Sequence, residues 1–454
     1  VSQDEPERDE FQKLVMGEFN TIGSLDPLFA NNATEMRAVQ LVYEGLVRFD
    51  ENGNITPGIA QTWTVSDDSS LYEFHLRPDI FYHNSDIFST GTGRRLVAED
   101  VKFVFERMAR AGVPPRAAKL FMNIRGFDSY FQEQHFVYNP QFRQIEGVAG
   151  IQTPDETTVV FELEQPDANF LKKLATPLAV IYPKEAVGDA QNAFTPVGTG
   201  PFTFVRTTND STYIFSKFDN YHTPGEIKLD RVDLIVTNSE GELFKSMSAE
   251  EMDVLPQLGP QLMSEILDDK GQLLPSYREQ YALRTAGGAT EYVLRYNPYS
   301  NLAATTARKI AGLIPTDLSS FLGKLPQGLV ESSFIIKDAP AIASHDSTKE
   351  IYSTFSADPF IKTFLGSLSK TLKPYGYSLQ MLKIHTPVEN TGLLVTRDFP
   401  LIPEGQWGDY EKLFVFKVGH AALQKPVVEG LWFNQYPWWI DVRGVSLMET
   451  SRLN

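Results

Sequence analysis

Seven histidines are scattered along the chain: His75, His83, His135, His222, His345, His385 and His420. No two of them stand four residues apart, the spacing that would put both on one helix face for a metal, and no HExxH is present. There is no cysteine, which excludes disulfides, thiolate zinc sites and cysteine nucleophiles together. The carboxylate pairs Asp67-Asp68 and Glu250-Glu251 are chain neighbours whose side chains point apart, so neither forms a general acid/base pair across a substrate. A G-x-S-x-G elbow and a P-loop are also missing. The residue types that make and break bonds are not assembled, and neither a catalytic nor a metal site is expected.

One glycine-rich stretch remains, "TPVGTGPFTF" at 195–204. A dinucleotide cradle needs a third glycine and a helix whose free N–H groups face the pyrophosphate. Here Pro201 removes an N–H, and Phe202-Thr203-Phe204 alternates as a strand. Gly198-Thr199-Gly200 is therefore expected to be punctuation before a strand.

The elements around these residues describe an α/β chain with several lobes. Its 454 residues correspond to two to three domains, and 42% hydrophobic content is ample for a sizeable core. A net charge of −17 repels phosphate backbones, so nucleic acid is not an expected partner. No stretch approaches a membrane span, and no leader peptide is visible, so the chain reads as a mature or trimmed form. The charged opening "VSQDEPERDE" reads as a disordered tether. "KLVMGEFNTIGSLDP" (13–27) reads as a strand ending in a turn, and "EMRAVQLVYEGLVRFD" (35–50) as a helix before a strand. Asn52-Gly53 signals a hairpin, 98–112 an amphipathic helix, and 145–165 two strands around a Pro-Asp turn. Residues 203–237 read strand, turn, strand; 292–298 a strand; 350–384 one βαβ unit; and the aromatic C-terminus further strand.

The order of these segments is that of a known family. "SLDP" (24–27), "LVYEGLVRFDENGNITPGIAQTWTVSDD" (41–68), "YEFHLRPDIFYHNSDIF", "LVAEDVKFVFERM", "VGTGPFTF", "SKFDNYHTPGEIKLDRVDLIV" and "YNPYSNLAATTARKIAGLI" follow one another at its spacing. The chain thus resembles the family-5 extracellular solute-binding proteins of ABC importers, the oligopeptide- and dipeptide-binding group. That resemblance implies a two-lobed periplasmic-binding-protein-like fold (type II, cluster C). The first lobe would comprise 1–32, 153–290 and 427–454, with an extra subdomain at 33–152, and a reduced second lobe would comprise 291–426. It implies no enzyme activity and no cofactor. Its expected partners are a small peptide or other small solute and a membrane transporter complex, in the periplasm or at the cell surface. An acyl anchor before Val1 is a further expectation, and the only membrane association foreseen.

The resemblance also points to ligand-binding positions. Phe19, Asn20 and Thr21 lie where relatives pair a strand edge with the peptide backbone. Tyr292 and Arg295 lie on a strand that carries cleft side chains in relatives, but on opposite faces of it, so at most one faces the cleft. Asp398 and Trp407 depend on register. Asp398-Phe399-Pro400 reads either as the family's amine-binding Asp-Tyr-Pro or as the later D-x-P-L-I-P segment before the closing strands. On the second reading the amine-binding part of the second lobe has been trimmed, and the fold serves either as a binder with a shallow groove or as an accessory subunit of a transport complex. His83-Asn84-Ser85 and the run Trp432, Phe433, Tyr436, Trp438 and Trp439 are read as structural.

Overall fold

The computed structural model describes residues 11–188, 193–209, 211–237, 239–334, 349–354, 358–382, 391–398, 401 and 410–448. Its organising strand is β1 (Lys13–Glu18), in which every residue after Lys13 is buried. Leu14 and Met16 enter one apolar cluster, while Val15 points the other way into a second. A strand covered on both faces in this way carries a continuous apolar run, and β1 pairs in parallel with Arg231–Val236 on one side and with Val254 on the other.

The sheet runs Phe202–Thr208, Thr212–Lys217, Arg231–Val236, β1, Val254–Leu255, Glu411–Gln424, Ala282–Tyr296, Leu393–Asp398, with Val330–Phe334 also on Glu411–Gln424. Two long strands, β2 (Ala282–Tyr296) and β3 (Glu411–Gln424), pair with each other, and β3 joins them to Val254–Leu255. Ala282–Ala286 pairs with Gln424–His420, the register then breaks, and pairing resumes at Thr290–Val418. The break contains Gly287-Gly288, and a Cβ on Gly288 would lie 3.0 Å from the Val418 carbonyl carbon.

The result is a two-lobed α/β fold. The first cluster gathers residues between Leu14 and Val236 with Val428–Val445, and the second gathers Val15 with residues between Leu243 and Leu423. A four-stranded antiparallel sheet, Ala60–Val65, Leu71–Leu76, Thr158–Glu162 and Ile151–Asp155, packs under the helix Ala98–Met108 in the first lobe. Helix α1 (Ala33–Val42) packs against Phe202–Thr208 and Pro177–Ala179. In the second lobe, Lys349–Thr354, α3 (Pro359–Leu372) and Tyr377–Leu382 form the expected βαβ unit with parallel strands. The helix α2 (Glu240–Ser248) packs Leu243 and Met247 into the second cluster.

Two expectations are corrected, and β3 is a strand that the sequence reading did not assign. The strand read from 292 begins at Ala282, its first half disguised by the two glycines. β3 carries no alternation, because it is buried on both faces along most of its length. The aromatic C-terminus is mostly irregular. Val428–Glu429 pairs with Ser446–Leu447, and Tyr436, Trp438 and Trp439 reach the first core from loops punctuated by Pro437, Gly430 and Gly444.

Candidate functional site

The glycine loop is a packing device. It lies against the end of α1, where a Cβ on Gly198 would be 2.6 Å from Tyr43 Cδ1 and one on Gly200 would be 2.7 Å from the Val42 oxygen. Glycine is required because the two backbones touch. The Gly200 N–H donates to the Val42 carbonyl at 2.9 Å, and the His83 N–H donates to the Gly198 carbonyl at 2.9 Å. The His83 Nε2 lies 2.9 Å from the Gly200 carbonyl oxygen, and burial lowers this histidine's pKa to about 4. The Thr199 hydroxyl donates to Glu44, which also accepts from Tyr221 at 2.8 Å and lies 3.0 Å from His222 Nε2. These polar groups of the loop are engaged internally.

A second arrangement faces solvent at the end of β1. Glu18 is tied to α1 by Arg37 and by the Thr34 hydroxyl at 2.8 Å. The chain then leaves the sheet at Phe19 and Asn20, both half-buried, and Thr21, which is exposed. The loop beyond is pinned by Glu35, whose carboxylate accepts from the Gly23 and Asn31 N–H groups at 2.8 and 2.7 Å. Asp26 is locked to Arg107, which donates to it at 2.9 Å. Between these two pins the backbone N–H groups of Asn20 and Thr21 donate no hydrogen bond among the described residues. The edge is held in place while its donors stay open.

Beside it lies a groove of about 240 Å³ lined by Phe19, Glu240, Gln261, Leu262, Pro359 and Lys362 among others. Phe19 and Glu240 come from the β1 end and the start of α2, and Pro359 and Lys362 from the first turn of α3 in the second lobe. Asp358 caps α3, accepting from the Phe360 and Ile361 N–H groups at 2.9 and 3.0 Å. Its other oxygen accepts from Arg397 at 2.6 Å and from the Tyr292 hydroxyl at 3.3 Å. Burial pushes the Glu240 carboxyl up to about 7; the Gly259 N–H that it accepts works against this, and the negative charge of Asp358 adds to it. Elsewhere, Arg116, which donates to the Ala30 carbonyl, is held below the usual guanidinium range chiefly by burial. The charge of Glu35 opposes that shift and the charge of Arg397 adds to it.

Tyr292 is 2% exposed and stacks on Phe416 at 5.0 Å. Arg295, also 2% exposed, lies on the other face of β2 and donates from Nε to the Thr396 hydroxyl at 3.0 Å. Asp398 ends the strand Leu393–Asp398, its backbone opposite Glu291. Trp407 lies outside the described residues, as does most of the segment 385–407 on which the trimming was read. Glu240, Asp358, Arg397 and Arg116 were not singled out from the sequence. The Asp358-Pro359 dipeptide is a recognisable helix start, but its cross-lobe neighbours are far away in the chain.

Among the described residues no group of three His, Asp or Glu side chains is placed to hold a metal ion, and no helix is long and apolar enough to cross a membrane. The arrangement offers an open backbone edge, an aromatic residue and carboxylates around a small groove, which is equipment for holding a molecule.

Comparison with known proteins identifies the family and the fold. The model of bacterial extracellular solute-binding proteins, family 5, middle region, matches residues 54–306. Di/tripeptide-binding protein 1 of Pseudomonas aeruginosa is 29% identical over 295 residues, covering 63% of this chain and 51% of that protein. The dipeptide-binding protein of Escherichia coli is 28% identical over 251 residues, covering 54% and 44%. The chain spans about half the length of the curated relatives it matches. The Escherichia coli murein tripeptide binding protein MppA shares the fold with a TM-score of 0.75 at 14% identity, over 97% of this chain and 99% of that one.

Proposed function

Because the chain belongs to family 5 of the bacterial extracellular solute-binding proteins, we propose that it is a non-catalytic receptor that captures small peptides outside the cytoplasm for a membrane importer. Phe19, Asn20 and Thr21 supply the edge along which the peptide backbone lies, and the start of α3 closes on it from the second lobe. Tyr292 and Arg295, both buried, act by holding Asp358 and Thr396 in place. Asp398 and Trp407 are the remaining second-lobe positions in this reading. The lobes divide near 290 and 426, where β2 and β3 pass from one to the other.

The observation that carries this reading is the open pair of N–H donors at Asn20 and Thr21 beside a groove lined by the end of β1, the start of α2 and the first turn of α3. An extended peptide satisfies such donors as an added strand would. The peptide-binding relatives, including those from Pseudomonas aeruginosa and Escherichia coli, support peptides as the solute class.

A thermal-shift titration with a pool of di- and tripeptides tests the proposal. A binder gains about 2.7 kcal/mol at a hundredfold excess of ligand over its dissociation constant. Absence of any shift, with the protein purifying as a stable part of a transporter complex, goes against capture and supports an accessory subunit.

A further inference from the structure

The rings most open to solvent stand on one small knob. Phe136, Tyr138 and Phe142 are 70%, 88% and 71% exposed, more than any other large apolar side chain among the described residues. They lie where the helix Phe127–Phe136 ends and a single turn, Pro140–Phe142, follows. That helix is anchored by Phe127 and Tyr130, which enter the first apolar cluster. The knob itself is tied by hydrogen bonds. Arg143 donates from Nε to the Val137 carbonyl at 3.2 Å and from Nη1 to the buried Gln134 side chain at 2.6 Å, folding the end of the turn back on the helix. Glu133 accepts from the Gln144 and Ile145 N–H groups at 2.7 and 2.9 Å, and Asn139 caps the turn by accepting from the Gln141 N–H at 3.1 Å. From Phe136 to Phe142 there is no Asp, Glu, Lys or Arg, in a chain whose net charge is −17. An ordered, uncharged aromatic surface of this kind marks a contact with something apolar.

We propose that this knob seats in the interface of an uncharged lipid bilayer, the ring bodies toward the acyl chains and the Tyr138 hydroxyl and the Asn139 and Gln141 amides among the headgroups. Area and charge select this occupant. At about 200 Å² per aromatic side chain, the three rings expose on the order of 450 Å², against the ~800 Å² that each partner of a standard protein interface buries. That is too little for a stable dimer. A second copy would also bring its own charge of −17 and be repelled, and the same field disfavours an anionic surface. A bilayer needs no matching face: aromatic side chains with a dry body and a wet polar end settle at the headgroup level. The knob shares no residue with the groove beside Phe19, so this contact is separate from solute capture.

Vesicle flotation tests the proposal. Wild-type protein is mixed with phosphatidylcholine vesicles and, separately, with vesicles containing about one-third phosphatidylglycerol. Beside it run Phe136→Ser/Tyr138→Ser/Phe142→Ser and a control, Tyr299→Ser, which removes a ring 68% exposed elsewhere on the molecule. Wild type and the control are expected to float with phosphatidylcholine, and the triple variant to bind about tenfold more weakly or worse. Phosphatidylglycerol is expected to weaken wild-type binding at low salt. Tyr138→Lys, which alters only the most exposed of the three rings, gives the same comparison should the triple variant not fold. Wild type that does not float, triple and Tyr138→Lys variants that float as wild type does, or stronger flotation on phosphatidylglycerol overturns the proposal. So does sedimentation velocity showing a wild-type dimer that the variants lose, because a second copy then covers the knob.

Discussion

Arg37 and Glu18 form a two-pronged ion pair, with Nε to Oε1 at 2.7 Å and Nη2 to Oε2 at 2.5 Å, and both side chains are 1% exposed. The pair fastens the last residue of β1 to α1 immediately before the chain turns out to Phe19, Asn20 and Thr21. A buried pair of this kind fixes geometry more than it adds stability, because desolvating the two charges consumes most of their attraction.

Removing one partner leaves the other charge buried and alone. Glu18→Gln and Arg37→Met are each expected to lose about 3–5 kcal/mol in equilibrium urea unfolding, and the double variant Glu18→Met/Arg37→Met less than either. Single variants within about 1 kcal/mol of wild type contradict the arrangement.

The glycine loop makes a paired prediction. Gly200→Ala forces a Cβ to 2.7 Å from the Val42 oxygen and is expected to cost about 1–3 kcal/mol by overpacking. Gly366→Ala, within α3, where a Cβ meets nothing within 4 Å, is expected to gain about 0.5–1 kcal/mol from helix propensity alone. Unfolding midpoints of the two variants should move in opposite directions.

The pH dependence of Glu240 has a definite sign. Its carboxyl titrates near 7 in the folded protein and near 4.5 in the unfolded chain, so the folded state binds the extra proton between these values. Stability from this group is present below about pH 4.5 and is lost as pH rises through 7. The groups facing it are Asp358 and Glu265, both negative, with Lys362 at the rim and Arg397 behind Asp358. Glu240→Gln should therefore gain on wild type by on the order of 2 kcal/mol between pH 5 and pH 8. A difference that does not change with pH removes the buried carboxylate with a raised pKa from the account.

Histidines act in the opposite direction. Burial lowers both His83 and His420 to about 4, so each is neutral in the fold and takes up its proton on unfolding between about pH 6.5 and 4. Stability from these two is intact above pH 6.5 and declines as pH falls toward 4. His83→Gln keeps a donor for the Gly200 carbonyl, and its urea midpoint should vary less than that of wild type between pH 7 and pH 4.5. An unchanged slope contradicts a neutral buried His83.

Much of this was legible in the chain. The βαβ unit around α3 was visible from the order strand, helix, strand over 350–384 and from Pro374 to Gly376 at the end of the helix, since helix termination is local chemistry. The structural part of Gly198-Thr199-Gly200 was visible because Pro201 and the alternating phenylalanines exclude a helix. Placement of Tyr292 and Arg295 on opposite faces follows from strand geometry and is what the fold shows. β3 escaped detection because burial on both faces removes the alternation that marks a strand. Glu240 escaped because its partners, the N–H groups of Gly259 and Leu262, lie about twenty residues further along the chain, and no local pattern announces such a meeting. Gly259 gave no signal either: its need for a missing Cβ exists only once the Glu240 side chain is in place.

The most direct test of solute capture is native mass spectrometry of the folded protein, freshly purified and then mixed with a di- and tripeptide pool. The account predicts one small peptide retained per chain, released on unfolding and recovered when the pool is added back. A bare mass under every condition, with the pool in large excess, contradicts it.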